Sequence, residues 1–109
     1  MKTKEEIVQN WLPRYTDTPL REFGKYILLV NFEEYLHMFS AWYNVSIRGV
    51  GKPMPTVTAE GITLINFGMG SPNAATVMDL LGAVKPRACL LLGKCGGLKK
   101  KSSLGDLIL

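Results

Sequence analysis

The chain is poor in the groups that usually announce a function. It has two cysteines, one histidine and no long apolar run. Its longest apolar stretches fall far below the ~20 residues that a membrane-spanning helix needs, so no membrane partner is expected. The N-terminus, Met1-Lys2-Thr3-Lys4-Glu5-Glu6, leads into no apolar signal core, which removes the pattern of a secretory leader. The spacing of Cys89 and Cys95 matches neither a zinc site nor a C-x-x-C pair. Two reduced thiols in a cytoplasmic protein are expected. His37 has no ligand partner three or four residues on, so neither a metal nor a cofactor is expected. The net charge is +4, much of it from Lys99-Lys100-Lys101. No aromatic residue interleaves with that triple lysine, which argues against nucleic acid as a partner.

What is present is a globular composition, 47% apolar and 20% charged over 109 residues, enough for one small domain. The chain is organised around Gly61 to Gly97. Ile62 to Phe67 is a short apolar run rich in β-branched residues, followed by Gly68-Met69-Gly70. Ser71-Pro72 then opens a helical pattern, Asn73 to Leu81, closed by Gly82. A second apolar run, Ala88 to Leu92, ends in Gly93-Lys94-Cys95-Gly96-Gly97. This is a strand–helix–strand unit whose two glycine loops emerge at one sheet edge, where open α/β sheets bind ligands. The fold class is α/β, with a mixed, mainly parallel central sheet flanked by helices.

The other elements follow from local signals. Thr3 and Glu6 form a capping box for a helix over Thr3 to Leu12, with Ile7, Val8 and Trp11 as its apolar stripe and Pro13 as its stop. Pro19 starts a short helical turn. Lys25 to Val30 is a solid apolar run and hence a central strand. Asn31, with Glu34 three residues on, caps a second helix from Phe32 to Tyr43. Phe32, Tyr35, Leu36, Phe39, Trp42 and Tyr43 fall at helical spacing and are expected in the core or at a subunit interface. Val45 to Arg48 reads as a short strand, and Gly49 to Pro55 as a loop. Thr56 to Ala59 pairs with Ile62 to Phe67 across a tight turn at Glu60-Gly61. Gly105-Asp106-Leu107-Ile108-Leu109 reads as a last strand.

Familiar phosphate templates fit poorly. Gly68-Met69-Gly70-Ser71-Pro72-Asn73 begins like a dinucleotide loop, but Asn73 replaces its third glycine and no acid follows the next strand. Gly93-Lys94-Cys95 resembles the tail of a P-loop, but Ala88 stands where its first glycine belongs and Cys95 where Ser or Thr would hold magnesium. No G-x-S-x-G elbow is present. Gly68 and Gly70 still allow close backbone approach, a helix N-terminus with Ser71 as N-cap candidate and Pro72 at its first position favours an anion, and the Lys94 ammonium at a strand end suits phosphate or carboxylate. No residue reads as a general acid, base or nucleophile.

At these residues the chain resembles the nucleoside phosphorylase and nucleosidase superfamily. The matching pieces are the strand Lys25 to Val30, the Glu60-Gly61 hairpin, GMGSPNAATVMDLL from Gly68 to Leu81, LLGKCGGL from Leu91 to Leu98, and GDLIL from Gly105 to Leu109. They occur in the family's order, and within the family they resemble the nucleosidases that act on AMP. Phosphorylases hold inorganic phosphate with an Arg and a Ser at the positions of Leu91 and Lys94, and with a glycine loop where Asn31-Phe32 stands here. The resemblance therefore implies that water replaces phosphate as nucleophile. It implies hydrolysis of the N-glycosidic bond of AMP, or of a related purine nucleotide, to adenine and ribose 5-phosphate. By family match, Met69 packs against the ribose, and Gly70, Ser71 and Asn73 shape the loop beside the sugar. Lys94 faces the phosphate, and Cys95 and Gly96 line the base pocket. The family's acidic residues have no match within these 109 residues. The implied whole is a nucleoside phosphorylase-like catalytic domain with this chain as its N-terminal portion, assembled as a homo-oligomer, by resemblance a hexamer, and inactive as this portion alone. A phosphorylase and a non-catalytic nucleotide-binding module are the rival readings.

Overall fold

The computed structural model describes residues 1–109. Four strands form one sheet in the order β2-β3-β1-β4. These are β1 (Tyr26–Val30), β2 (Thr56–Ala59), β3 (Ile62–Asn66) and β4 (Ala88–Leu91). The helices are α1 (Lys4–Thr16), α2 (Glu33–Tyr43) and α3 (Ser71–Leu80). β1 is central and parallel to both β3 and β4, whereas β2 runs antiparallel to β3. The mixed, mainly parallel sheet expected from the sequence is therefore present. The strands on either side of α3 are not neighbours, because β1 lies between them. The β2–β3 hairpin turns at Glu60 and Gly61, with φ of 53° and 76°. Positive φ at both central residues is what a two-residue turn matching the sheet twist demands.

Period-two alternation divides the apolar residues between two layers. Ile27, Leu29 and Ile65 face α1 and α3, where they pack with Val8, Leu12, Val77 and Leu80. Val30, Leu64 and Val57 face α2 and bury Leu36 and Phe39. α2 covers only part of its side. At the other end of that face Tyr26 and Leu90 stay exposed beside a cavity of about 450 Å³ that Leu28, Ile62 and Ala88 help to line. β4 is an edge strand, with Leu90 and Leu91 each 65% exposed.

Two glycines are demanded by close approach. A Cβ on Gly24 would lie 2.3 Å from the Gly61 carbonyl oxygen. A Cβ on Gly49, whose φ is +77°, would lie 2.3 Å from the Thr16 carbonyl oxygen. Gly49 thereby lets the loop after α2 press against the end of α1.

Several local expectations are corrected. Pro13 does not stop α1, which continues to Thr16 and ends at Asp17 in the left-handed region. The last turn is retained because it buries Leu12 and Thr16, and the Thr16 hydroxyl donates to the Leu12 carbonyl at 2.7 Å. The buried stripe of α1 is thus Val8, Leu12 and Thr16, while Ile7 and Trp11 are exposed. The capping box of Thr3 and Glu6 is present. Pro19 does precede a short 3-10 turn, Leu20–Glu22. Val45 to Arg48 is not a strand; only Arg48 bridges to Thr56. Gly82 does not close α3, because Leu81–Ala83 continues it as a 3-10 turn. The terminal run Gly105 to Leu109 forms no strand, since no ladder partner lies beside it and its side chains are exposed. On α2, Leu36 and Phe39 are buried but Trp42 is 71% exposed. No helix is long and apolar enough to cross a membrane.

Candidate ligand site at the carboxyl edge of the sheet

The three parallel strands deliver their exits side by side. The Phe67 amide donates to the Val30 carbonyl at 3.1 Å, and the Leu92 amide donates to the Leu29 carbonyl at 2.9 Å. Asn31-Phe32 therefore leaves the sheet between Gly68-Met69-Gly70 on one side and Gly93-Lys94 on the other. The amide of Gly68 donates to the Asn66 side-chain oxygen at 3.1 Å. Gly68 and Gly70 both hold positive φ, 84° and 91°. A Cβ on Gly68 would meet the Asn73 side-chain nitrogen at 2.8 Å. Asn73 thus folds back over the loop, and the φ of +84° at Gly68 is what favours glycine there.

Gly70, not Ser71, is the cap residue of α3; Ser71 and Pro72 occupy the first turn. Its extended, positive-φ backbone lets Gly70 take the cap without a side chain, and its carbonyl accepts from the Ala74 amide at 3.1 Å. Asn31 does not cap α2 either. Phe32, with φ of −123°, holds that position and makes no side-chain cap bond. The Asn31 side-chain oxygen is buried without a hydrogen-bond partner in the protein. Burying an acceptor unpaired costs about 1–3 kcal/mol.

Of the predicted site residues, Met69, Gly70, Ser71 and Asn73 gather at the exit of β3, where Met69 is 70% exposed. Lys94 follows β4 but turns toward α2. Its Nζ donates to Glu34 Oε1 at 3.0 Å and lies 4.2 Å from the centre of the Phe32 ring. The hydrogen bond to Glu34 raises the Lys94 pKa above the ordinary lysine value, so it stays charged. No hydrogen bond joins Lys94 to the loop from Met69 to Asn73. Cys95 is exposed and lines a different cavity, of about 530 Å³, against the segment from 102 to 108. Gly96 faces open space. The site residues are thus divided into two groups flanking Asn31. Sequence reasoning missed the Glu34, Phe32 and Tyr35 partners of Lys94 and the role of Asn66; the N-x-x-E pattern at Asn31 and Glu34 was the available signal, read as a cap.

His37 pairs only with Glu33, at 3.5 Å, and no group of three or more His, Cys, Asp or Glu side chains gathers to hold a metal. Cys89 is half-buried on β4, and burial pushes its thiol pKa up. Because the thiolate is the reactive form, iodoacetamide near neutral pH is expected to alkylate Cys95 before Cys89, as peptide mass spectrometry over a time course would show. Equal rates would contradict this environment for Cys89.

The crystal structure of AMP nucleosidase from Bacteroides thetaiotaomicron VPI-5482 superposes with a TM-score of 0.86 at 63% identity, covering 89% of this chain and 42% of that one. The curated AMP nucleosidases of Escherichia coli K12 and O157:H7 are each 28% identical over 135 aligned residues. That alignment covers 90% of this chain, which spans only 28% of the length of those relatives. The shared architecture is the nucleoside phosphorylase-like sheet described above. Residues 25–109, which hold the whole sheet and both glycine loops, match the Phosphorylase superfamily, and the chain belongs to that superfamily.

Proposed function

We propose that this chain is the N-terminal portion of a catalytic domain that hydrolyses the N-glycosidic bond of AMP, giving adenine and ribose 5-phosphate. The observation that carries this reading is the 63% identity to the Bacteroides AMP nucleosidase across nearly all of this chain. The chain spans 42% of that nucleosidase and 28% of the Escherichia coli ones, which fits a portion of a longer domain. In this reading the carboxyl edge receives the sugar and its phosphate. Met69 lies against the ribose, Gly70, Ser71 and Asn73 shape the adjoining loop, Lys94 meets the phosphate, and Cys95 and Gly96 border the base. The glycosidic bond is largely broken before water attacks, leaving positive charge on the sugar and an electron pair on the base. A carboxylic acid that protonates the departing adenine belongs to the remainder of the domain.

The two free thiols fit a cytoplasmic enzyme of purine salvage. The exposed Trp42 and Met38 on α2 offer apolar area to the homo-oligomer, a hexamer, that the reading includes. The decisive measurement is chromatography of adenine released from AMP by the full-length protein in phosphate-free buffer. Adenine and ribose 5-phosphate in equal amounts support hydrolysis. Release that requires added phosphate and yields ribose 1-phosphate from adenosine would establish a phosphorylase instead, and tight nucleotide binding without release would establish a binding module. The 109-residue chain alone is expected to release no adenine.

A further inference from the structure

Lys94 is held by an exposed ion pair with Glu34 in the arrangement observed. Its ammonium carries three N–H bonds and accepts nothing. Glu34 Oε1 receives one at 3.0 Å, the Phe32 and Tyr35 ring centres lie 4.2 Å and 5.6 Å from the ammonium, and the rest of it faces solvent. All three partners belong to the start of α2, whereas Lys94 belongs to the exit of β4. They meet because β1, which feeds α2, lies directly beside β4, with Leu29 opposite Leu91. Glu34 also sits in the first turn of α2, where the helix dipole favours a negative group. The place at this helix start that would attract an anion, and the cation that would accompany it, are thus already paired with each other.

We infer that this cradle is the withdrawn position of Lys94, an autoinhibitory contact in which Glu34 competes with the ligand's phosphate for the ammonium. The inference rests on the reading of Lys94 as the phosphate contact. A carboxylate brings one negative charge, and a phosphate monoester near neutral pH brings almost two. The monoester therefore exchanges with Glu34 on favourable terms. The cost of releasing Glu34 is the same for every anion that needs Lys94 and is absent for an uncharged nucleoside. The contact accordingly weakens inorganic phosphate and the nucleotide by a common factor. It leaves their order unchanged and narrows the gap between the nucleotide and the uncharged nucleoside.

The test compares full-length wild type with Glu34→Gln, Lys94→Ser and the double variant at fixed ionic strength. The readouts are the KM for AMP, the KM for adenosine and the inhibition constant of inorganic phosphate. Calorimetric titration with AMP and with inorganic phosphate supplies the same comparison without turnover. Glu34→Gln is expected to tighten both AMP and inorganic phosphate about two- to fivefold, the scale of an exposed ion pair, and to raise the preference for AMP over adenosine by that factor. In the Lys94→Ser background the same change is expected to do nothing. If Lys94→Ser weakens AMP but Glu34→Gln leaves both anions unchanged or weakens them, Glu34 does not compete and the inference is overturned, while the phosphate reading of Lys94 stands. If Lys94→Ser leaves the preference for AMP unchanged, that reading fails and takes the autoinhibitory contact with it.

Discussion

Lys94→Ser in the full-length protein is expected to lower the preference for AMP over adenosine about tenfold, near the low end of what a hydrogen bond to a charged group contributes. The direction follows from charge. Lys94 is the cation of the β4 exit, its pKa is held up by Glu34, and it stands at the sheet edge where the sugar phosphate is proposed to bind. Serine retains a hydroxyl donor but no charge, so the loss is concentrated on the ligand that carries phosphate. The measurement is the ratio of kcat/KM values for AMP and adenosine in both proteins. An unchanged ratio would remove Lys94 from the phosphate contact. A loss of activity on both substrates alike would mean that the loop, and not the charge, had been disturbed.

Gly49→Ala is expected to destabilise the fold by about 2–5 kcal/mol, through overpacking and left-handed strain together. The added Cβ would sit 2.3 Å from the Thr16 carbonyl oxygen, and the backbone holds φ at +77°. The obstacle is backbone at the end of a helix whose last turn is buried, so nothing flexible gives way. Gly51→Ala is the matched control. It has φ of +84° but no heavy atom within 4 Å of the new Cβ, so only the conformational cost of about 1 kcal/mol remains. Urea unfolding of the two variants separates steric from conformational cost. Equal losses would mean that the contact with Thr16 relaxes freely. A change of the predicted size at Gly49 is a large share of the roughly 5–15 kcal/mol that holds a typical domain.

The elements legible in the sequence are those decided by neighbours along the chain. The apolar run of β1 and the Glu60-Gly61 turn are examples, and the glycines at 68 and 70 announced a strand end. The caps were less legible because a cap depends on where the chain leaves the sheet. Val30 still pairs through its carbonyl with the Phe67 amide, so the helix after Asn31 begins one residue late and Phe32 takes the cap. At α3 a glycine with positive φ displaced the serine that propensity favoured. Pro13 failed as a stop because burial of Leu12 and Thr16 outweighs one missing backbone bond. For the site, the position of Lys94 was legible but its partner was not. Glu34 lies 60 residues earlier, and only the placement of β1 next to β4 brings the two together.

That strand order also governs how the domain is made. β1 leaves the ribosome before both of its neighbours, β3 and β4. The most apolar strand of the sheet therefore waits with two open edges until the chain beyond it has emerged. Non-local pairings of this kind pay loop closure before they gain contacts, which slows folding and leaves sticky edges exposed meanwhile. The nascent chain is thus most vulnerable to aggregation between the release of β1 and the arrival of β4, an interval in which a chaperone that shields extended apolar segments has most to contribute.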